Sequence, residues 1–307
     1  MTQYYDIIGD IHGHADVLDS LLLKLNYAKH ENVYQHNKHK VIFLGDFIDR
    51  GYQQREVIQL VKPMIEQGHA LSVMGNHEYN AICYATFGQD GKPLREHSDK
   101  NMRQHAVFLA AYPDVEERMQ IINWFKTLPI FIDTGKIRVV HASWNEKALY
   151  DISDLLNEKQ CLKDDSYAKC SDEGSKPYNA IESLLKGPEV VLPDDVTFKD
   201  KDGHIRKSAR IKWWTPDHFD MKERLHLGAE LKNSHKLADM EIENEHNYPL
   251  SNIPIFVGHY WLNAQTPKPL SDNCACLDYS IAKAGKLVAY QWRGENKLKK
   301  GHFVWCK

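Results

Sequence analysis

The first part of the chain alternates short apolar runs with longer amphipathic segments. The apolar run 41–44 is too short for a helix and predicts a buried strand, and the mainly apolar segments 4–8 and 69–74 also predict strands. The segments 17–25 and 55–67 repeat their apolar residues at helical spacing. Strands that alternate with helices in this way form parallel sheets. We therefore expect an α/β fold in which these strands end at one common edge.

Polar side chains of metal-binding and phosphate-binding types follow each predicted strand. The three segments read Gly9-Asp10-Ile11-His12-Gly13, Gly45-Asp46-Phe47-Ile48-Asp49-Arg50-Gly51 and Gly75-Asn76-His77-Glu78. A single segment of this kind could be a surface turn, in which Asp10 caps the next helix. Sites in open α/β sheets are built at the carboxyl ends of the strands. Three such segments at one edge of a sheet therefore favour a functional site.

Two later histidines follow predicted strands in the same manner. His141 follows the run 137–140, and His259 follows the run 253–257. The candidate metal ligands are then Asp10, His12, Asp46, Asn76, His141 and His259. Oxygen and imidazole ligands without a thiolate suit manganese, iron, zinc, cobalt or nickel. Six ligands are too many for one four-coordinate zinc. We therefore expect two divalent ions that share a carboxylate, with Mn²⁺ as the first expectation.

The remaining polar residues suit phosphoester hydrolysis. Two metal ions can lower the pKa of a water between them, and this water can attack phosphorus in line. Arg50 would neutralise and orient the phosphate through its planar fork of donors. His77 would be the general acid for the departing alkoxide, and Asp49 would hold the imidazole in the required tautomer and orientation.

Composition narrows the class of protein. The 307 residues are 42% hydrophobic and 26% charged, as in ordinary globular chains. The net charge of −3 provides no global basic field for nucleic acid or an anionic membrane. The six cysteines contain no C-x-x-C pair, which indicates free thiols in a reducing compartment. With neither a signal peptide nor a membrane-spanning stretch in the sequence, we expect a cytoplasmic protein without membrane partners.

The middle of the chain has a different composition. Residues 145–250 are charged and poor in long apolar runs, and they predict a large insertion with helical pieces that partly caps the site. We expect this insertion to belong to a single domain of residues 1–307. The basic residues and two tryptophans in 206–214 either form a substrate-binding edge or pack the insertion onto the body. Charge runs favour the second interpretation, with solvated charges. Residues 88–114 look irregular with helical patches.

The motif segments resemble the signatures of the calcineurin-like metallophosphoesterases, and within these the phosphoprotein phosphatase branch that includes serine/threonine phosphatases. The resemblance covers the motif loops and the strand order of about residues 4–141 and 253–292. His141 and His259 lie where that family places its two late metal-binding histidines. The resemblance implies a two-sheet β-sandwich flanked by helices.

The resemblance also implies how the ligands are divided. One metal would be held by Asp10, His12 and Asp46, and the second by Asp46, Asn76, His141 and His259. The same roles as above are implied for Asp49, His77 and Arg50. The family's second phosphate-binding arginine lies in the middle region, where our candidate is Arg210.

Several activities stay open. The first is a phosphomonoesterase of the protein serine/threonine phosphatase type, acting on a phosphoprotein or a small phosphoester. Symmetrical dinucleoside tetraphosphate hydrolases look similar over the first motifs, but they tend to lack the aspartate at Asp49 and to have aspartate in place of Glu78. A nuclease is disfavoured because His259 is followed by Tyr260 and not by a second histidine. A non-catalytic binding protein on this fold would have lost metal ligands, and none is missing.

Overall fold

The computed structural model describes residues 3–199, 203–216, 218–227, 229–242, 252–263 and 265–307. The elements before residue 145 are β1 (Tyr4–Ile8), α1 (Ala15–Lys24), β2 (Ala28–His30), β3 (Val33–Gln35), β4 (His39–Phe43), α2 (Gln54–Glu66), β5 (Ala70–Ser72), α3 (Asn76–Ala85), α4 (Asp99–Ala111), α5 (Val115–Phe125), β6 (Phe131–Asp133) and β7 (Arg138–Val140). The strand–helix alternation predicted for this part is confirmed.

The later elements follow in two groups. The middle of the chain contains α6 (Glu146–Asp151), α7 (Ser166–Cys170), α8 (Lys176–Lys186), β8 (Glu189–Val191), β9 (Thr197–Lys199), β10 (Ile205–Arg206), β11 (Ser208–Ile211), α9 (Met221–Arg224), β12 (Leu225–His226) and β13 (Ala229–Lys232). The last part contains β14 (Ile255–Val257), β15 (Cys274–Cys276), β16 (Asp278–Tyr279), β17 (Lys286–Trp292) and β18 (Phe303–Cys306). Among the described residues, no helix combines the length and the apolar character that a membrane crossing requires.

Two β-sheets form the body of the protein. The first has the order β16-β17-β1-β4-β5, with β18 paired to β17, and the second has the order β15-β14-β7-β6. Strands β1, β4 and β5 are parallel, as the sequence predicts. Strand β17 runs antiparallel to β1, so the first sheet is mixed. The C-terminal strands therefore both extend the first sheet and complete the second.

Alternate residues of the strands belong to two different apolar clusters. Ile7 lies in a cluster with Val139 and Phe256 of the second sheet, so this cluster fills the space between the sheets. The next residue, Ile8, lies in a cluster that contains Leu21 and other helical side chains. Successive side chains of a strand point to opposite faces, which explains the alternation. The expected two-sheet sandwich flanked by helices is confirmed.

The region between α3 and α5 differs from the sequence-based expectation. Helix α4 spans 13 residues, where the polar composition predicted an irregular segment with helical patches. The buried face of α4 consists of His105 and Phe108. Because these two side chains are its buried residues, the helix has almost no apolar periodicity that the sequence could show.

The middle segment contains strands in addition to the expected helical pieces. Strands β8, β11 and β12 form one three-stranded sheet, and β9, β10 and β13 form another. They enclose a separate apolar cluster that includes Leu192, Phe198 and Ile211. Trp213 is buried and its Nε1 lies 3.1 Å from the Ala142 carbonyl oxygen, so it packs this segment onto the body. That residues 145–250 form an insertion and a cap stays a prediction, and residues 243–250 lie outside the described part.

Gly45 tests how closely the ends of β4 and β5 approach each other. Its φ is 88°, and a Cβ at this position would lie 2.3 Å from the backbone nitrogen of Gly75. We predict that Gly45→Ala lowers the free energy of unfolding by at least about 1–3 kcal/mol, since a side chain adds both backbone strain and a backbone clash. Urea denaturation measures this change. Gly301→Ala is the control, because in the described part of the chain no atom beyond its chain neighbours lies within 4 Å of its Cβ position. Equal stability of the two variants would contradict the close approach.

Candidate active site

Three loops meet at the carboxyl ends of β1, β4 and β5. We call them loop 1 (9–13), loop 2 (45–51) and loop 3 (75–78). The backbone N–H of His12 in loop 1 donates to the Asp46 carbonyl oxygen in loop 2 at 2.8 Å. The buried Glu78 carboxylate accepts the backbone N–H groups of Asp46 and Phe47, each at 2.8 Å. Glu78 thus ties loop 2 to the start of α3, and the predicted common edge is present.

The loop backbones hold an unusual conformation. Non-glycine residues with positive φ include His12, Asp46, Asp49, Arg50 and His259, with φ values between 45° and 70°. Side-chain-bearing residues rarely adopt this region, and such positions cluster at functional sites. Each of these five residues was a site candidate from the sequence. The hydrogen bonds between the loops hold the strained positions in place.

Asp46 lies at the centre of the candidate ligands. Its Oδ2 lies 3.4 Å from His141 Nε2 and 3.6 Å from His12 Nε2. The same oxygen lies 4.0 Å from His77 Nε2. The ligand atoms of His12, Asp46 and His77 form one compact group, and those of Asp46, His141 and His259 form another, each within 4.8 Å. Asp46 is common to both groups, as a carboxylate shared by two ions would be.

Several atoms of this cluster are buried without a hydrogen-bond partner. They are Asp10 Oδ1, His12 Nε2 and His259 Nε2. Buried polar atoms are ordinarily paired, so orphaned carboxylate oxygens and imidazole nitrogens indicate positions for a ligand. Such donors suit divalent transition metals. The residues present therefore fit divalent metal ions.

The histidines of both groups are oriented by Asn76 or by backbone carbonyls. Asn76 Oδ1 lies 2.8 Å from His259 Nδ1 and 3.1 Å from His141 Nε2. His141 Nδ1 donates to the Leu44 carbonyl oxygen at 2.6 Å, and His12 Nδ1 lies 3.0 Å from the Ile48 carbonyl oxygen. Hydrogen bonds of this kind fix the ring orientation of metal-binding histidines. The Nε2 atoms of His12 and His141 are then the ones available to a metal.

Asp10 lies beside these two groups. Its Oδ2 accepts the backbone N–H of His259 at 3.0 Å. A Cβ at Gly258 would lie 2.0 Å from Asp10 Oδ1, so only glycine allows this approach. Burial and the neighbouring carboxylate of Asp278 raise the pKa of Asp10 well above its usual range. Asp278 was not a candidate from the sequence, because no motif marks it within the C-terminal strands.

The electrostatic state of Asp46 and His12 favours metal binding, whereas that of Asp10 and His141 favours the protonated forms. Burial raises the pKa of Asp46, but His141 and His77 outweigh this effect and hold the pKa well below its usual range. Burial lowers the pKa of His12 to about 3, although Asp46 opposes the change. An ionised carboxylate and a neutral imidazole are the forms that bind metals. Burial also lowers the pKa of His141, but the charge of Asp46 raises it to about 10.

His77 and Asp49, predicted as a pair, are in contact. His77 Nδ1 donates to Asp49 Oδ2 at 2.6 Å. A second histidine, His105 of α4, donates from Nδ1 to Asp49 Oδ1 at 3.0 Å. Burial acts to raise the pKa of Asp49, but His105 and His77 lower it to about 2. Sequence analysis missed His105, since its segment looked irregular and no motif includes it.

Arg50 is exposed at the rim of the site and stacks on an aromatic ring. Its guanidinium carbon lies 4.2 Å from the centre of the Trp261 ring. The Lys283 ammonium lies 5.2 Å from the same ring. Arginine stacks well on aromatic faces while its donors remain directed outward. Trp261 thus places two cations beside the metal-ligand cluster.

A cleft of about 1120 Å³ opens over the cluster. Its cationic lining comes from Arg50, Arg95, Lys100, Lys147, Lys176, Lys186, Arg206, Arg210 and Lys283. Its acidic lining comes from Asp46, Asp151, Glu173, Glu182 and Glu189. The cations outnumber the carboxylates here, whereas the whole chain has a net charge of −3. Such a local field favours an anion of high charge.

Two arginines in this lining differ in their surroundings. The predicted Arg210 has its Nε 3.6 Å from Glu189 Oε1. Arg95 donates to Gln104 Oε1 at 3.0 Å. Within the described ranges, no carboxylate lies at ion-pair distance from Arg95, and burial lowers the pKa of its guanidinium. Arg95 is therefore a further candidate phosphate ligand, which the sequence did not reveal because it lies outside every motif.

Comparison with known proteins identifies the class of the chain. The family model of the calcineurin-like phosphoesterases matches residues 5–198. The chain therefore belongs to the calcineurin-like phosphoesterase family, as the loops predict. Members of this family generally bind two divalent metals, which agrees with the two ligand groups.

Individual relatives are similar to this chain over different lengths. It is 30% identical over 138 residues to an asymmetrical bis(5'-nucleosyl)-tetraphosphatase, PrpE, of Oceanobacillus iheyensis, over 45% of this chain and 54% of that protein. It is 24% identical over 291 residues to a symmetrical bis(5'-nucleosyl)-tetraphosphatase of Vibrio parahaemolyticus, over 93% of this chain and 94% of that protein. A cold-active protein tyrosine phosphatase has a similar fold, with a TM-score of 0.51 and 18% identity over 99% of this chain and 79% of that one.

The shared position of Asp46 gives a direct prediction. We expect Asp46→Asn to reduce bound metal and activity together, because the variant removes the one charge common to both ligand groups. Elemental analysis after reconstitution with Mn²⁺, together with turnover of p-nitrophenyl phosphate, measures both effects. Asp90→Asn, at an exposed loop position, is the matched control. Full metal content in Asp46→Asn would refute the shared position.

Proposed function

We propose that the chain is a dinuclear metal-dependent hydrolase whose substrate is a dinucleoside tetraphosphate. The cationic lining of the cleft carries this proposal, because a tetraphosphate bridge bears far more charge than one phosphoryl group. The symmetrical tetraphosphatase that matches 93% of this chain supports the same substrate class. The loop motifs alone rank this activity second, after a phosphomonoesterase. The cleft and the full-length relative are the reasons for placing it first here.

The ligand cluster divides into two metal positions in this proposal. Asp10, His12 and Asp46 hold one ion, and Asp46, Asn76, His141 and His259 hold the other. When bound, the two ions supply an activated water for in-line attack and neutralise charge on the phosphoryl oxygens. The group of Asp46, His141 and His259 supports the second position. The orphaned atoms of Asp10 and His12 support the first, although the compact group on that side contains His77 and not Asp10.

The arginines of the cleft bind the phosphate groups. Arg50 orients the phosphoryl group that reacts, because Trp261 holds its guanidinium beside the ligand cluster. Arg95 and Arg210 bind the more distant phosphates of the chain. Arg210 Nε lies 3.6 Å from Glu189 Oε1 but is buried without a hydrogen-bond partner, so both arginines are candidates for these phosphates.

A second candidate function follows from the Asp49–His77 contact. A nucleotide leaves with its negative charge on phosphate oxygens and needs little protonation, whereas the alkoxide of serine or threonine needs a proton from an acid. His77, oriented by Asp49 at 2.6 Å, is suited to supply that proton. This observation favours a phosphomonoesterase of the protein serine/threonine phosphatase type.

The two candidates are separated by turnover of matched substrates. The purified protein, stripped of metal and reloaded with Mn²⁺, is offered diadenosine tetraphosphate, a phosphoserine peptide, p-nitrophenyl phosphate and bis-p-nitrophenyl phosphate. The highest kcat/KM for the tetraphosphate supports the first candidate. The highest value for the phosphopeptide supports the second. Absence of metal-dependent turnover on all four substrates would overturn both candidates.

The role of His77 has its own test. We expect His77→Asn to retain most of the bound metal and to lower kcat for a phosphomonoester about 10²- to 10⁴-fold, the usual contribution of a general acid. Steady-state kinetics and elemental analysis measure these two quantities. His30→Asn, on the exposed strand β2, controls for loss of a histidine elsewhere. Wild-type kcat in His77→Asn would refute the proton-donor role.

Arg95 distinguishes a polyphosphate from a single phosphate. We predict that Arg95→Gln raises KM for diadenosine tetraphosphate about 10- to 100-fold, the value of one or two charge-assisted hydrogen bonds. A smaller rise is expected for p-nitrophenyl phosphate, which has one phosphoryl group for Arg50 to bind. Arg103→Gln, exposed on α4, is the control. An equal effect of Arg95→Gln on both substrates would contradict this role.

A further inference from the structure

Both oxygens of the Asp49 carboxylate are bonded to histidine rings. Oδ2 accepts from His77 Nδ1 at 2.6 Å, and Oδ1 accepts from His105 Nδ1 at 3.0 Å. The exposed fraction is 8% for His77, 5% for His105 and 2% for Asp49. Solvent therefore contributes little to the orientation of this carboxylate, and the two imidazoles decide it.

The His105 ring is itself held by packing. Its centre lies 4.8 Å from that of Phe108, one turn later on the buried face of α4. It lies 5.4 Å from the centre of the Tyr84 ring at the end of α3. The two aromatic neighbours restrict the imidazole, so α4 presents a fixed donor to Asp49.

The backbone of Asp49 is also constrained. Its N–H donates to Gln54 Oε1 at 2.8 Å, and its φ is 65°. These constraints fix the backbone but leave the carboxylate free to turn about its Cβ–Cγ bond. The donor on Oδ1 restrains this rotation together with His77 on Oδ2, and hydrogen bonds to an ionised carboxylate are among the strong ones.

We propose that His105 is a positioning residue for the hydrolytic reaction: its Nδ1–H holds Asp49 so that the other carboxylate oxygen receives His77 Nδ1–H. This inference rests on the proposed role of His77 as proton donor. His105 is not among the residues that line the cleft, so it acts through Asp49 and makes no contact with substrate. With Nδ1 of His77 bonded to Asp49, Nε2 is the atom on the side of Asp46, at 4.0 Å from its Oδ2.

The leaving-group dependence of kcat tests this chain of contacts. Phenolate is more basic than p-nitrophenolate, so departure of phenol from phenyl phosphate depends more strongly on a proton donor. His105→Phe keeps an aromatic ring between Tyr84 and Phe108 and removes the donor. We expect it to lower kcat for phenyl phosphate about 10- to 100-fold, as loss of a supporting hydrogen bond does at other sites. The decrease for p-nitrophenyl phosphate is smaller, and KM and bound Mn²⁺ stay near their wild-type values.

Further variants separate positioning from folding. His105→Gln retains an N–H donor and is expected to recover most of the phenyl phosphate activity. His105→Ala removes the donor without adding bulk, so it replaces His105→Phe if the larger ring prevents folding. His97→Phe is the control. Like His105, His97 packs against Tyr84, and the centres of these two rings lie 3.8 Å apart. Equal losses on the two aryl phosphates in His105→Phe would indicate a structural role and overturn the proposal.

Proton NMR of the Zn²⁺-loaded protein gives a measurement that needs no turnover. The His77 Nδ1–H resonance is identified as the downfield signal lost in His77→Asn. We expect this signal to be lost or shifted in His105→Phe and His105→Ala and kept in His105→Gln. An unchanged signal in the first two variants would overturn the proposal, including in a protein that does not turn over aryl phosphates.

The outcomes also distinguish this inference from the function on which it rests. If His77→Asn shows the leaving-group dependence and His105→Phe does not, the positioning role fails and the proton-donor role stands. If His77→Asn itself shows no such dependence, the proton-donor role fails and positioning for proton transfer fails with it. The NMR signal then reports only whether His105 holds Asp49.

Discussion

The site depends on a buried carboxylate that is surrounded by imidazoles. Asp46 Oδ2 lies within 4.0 Å of Nε2 atoms from His12, His77 and His141. A buried charge is costly unless it is paired, and here the neighbouring rings hold the pKa of Asp46 well below its usual range. Metal ions at these positions would take over that compensation. The hydrogen bonds among the loops, the paired strands and Glu78 together fix the position of this carboxylate.

Rigid loops make such a cluster reproducible. Glu78 binds the backbone N–H groups of Asp46 and Phe47, and Gly45 and Gly75 allow loops 2 and 3 to approach within a distance that a Cβ would prevent. The strained φ values in the loops are stabilised by these contacts and not by local sequence preference. The consequence is a set of ligand atoms preorganised at the edge of a rigid sheet, which is the arrangement that metal and phosphate chemistry requires.

The cationic lining of the cleft and the Asp49–His77 contact would recognise two different properties of a substrate. The cationic lining concerns the ground-state charge of the anion, whereas the Asp49–His77 contact concerns the basicity of the group that departs. A tetraphosphate makes full use of the first feature, and a phosphoprotein makes full use of the second. Both features are present in one chain, so kinetic comparison of substrates decides between the candidates, and the fold does not.

The sequence by itself predicted the parallel strands and the six candidate metal ligands, because five of the six directly follow a glycine or an apolar strand and His12 lies in the same short loop as Asp10. The sandwich was predicted from the resemblance of these loops to a known family. A short motif that directly follows a parallel strand predicts where its residues lie, because the ends of neighbouring parallel strands meet at one edge of the sheet. Only the tertiary structure decided the positions of His105, Asp278, Trp261 and Arg95. These side chains reach the site from α4, from the C-terminal strands and from connecting loops, and their partners are distant in the chain. No local periodicity records a contact that forms only when separate elements pack, and in α4 the buried face was too sparse to predict more than helical patches.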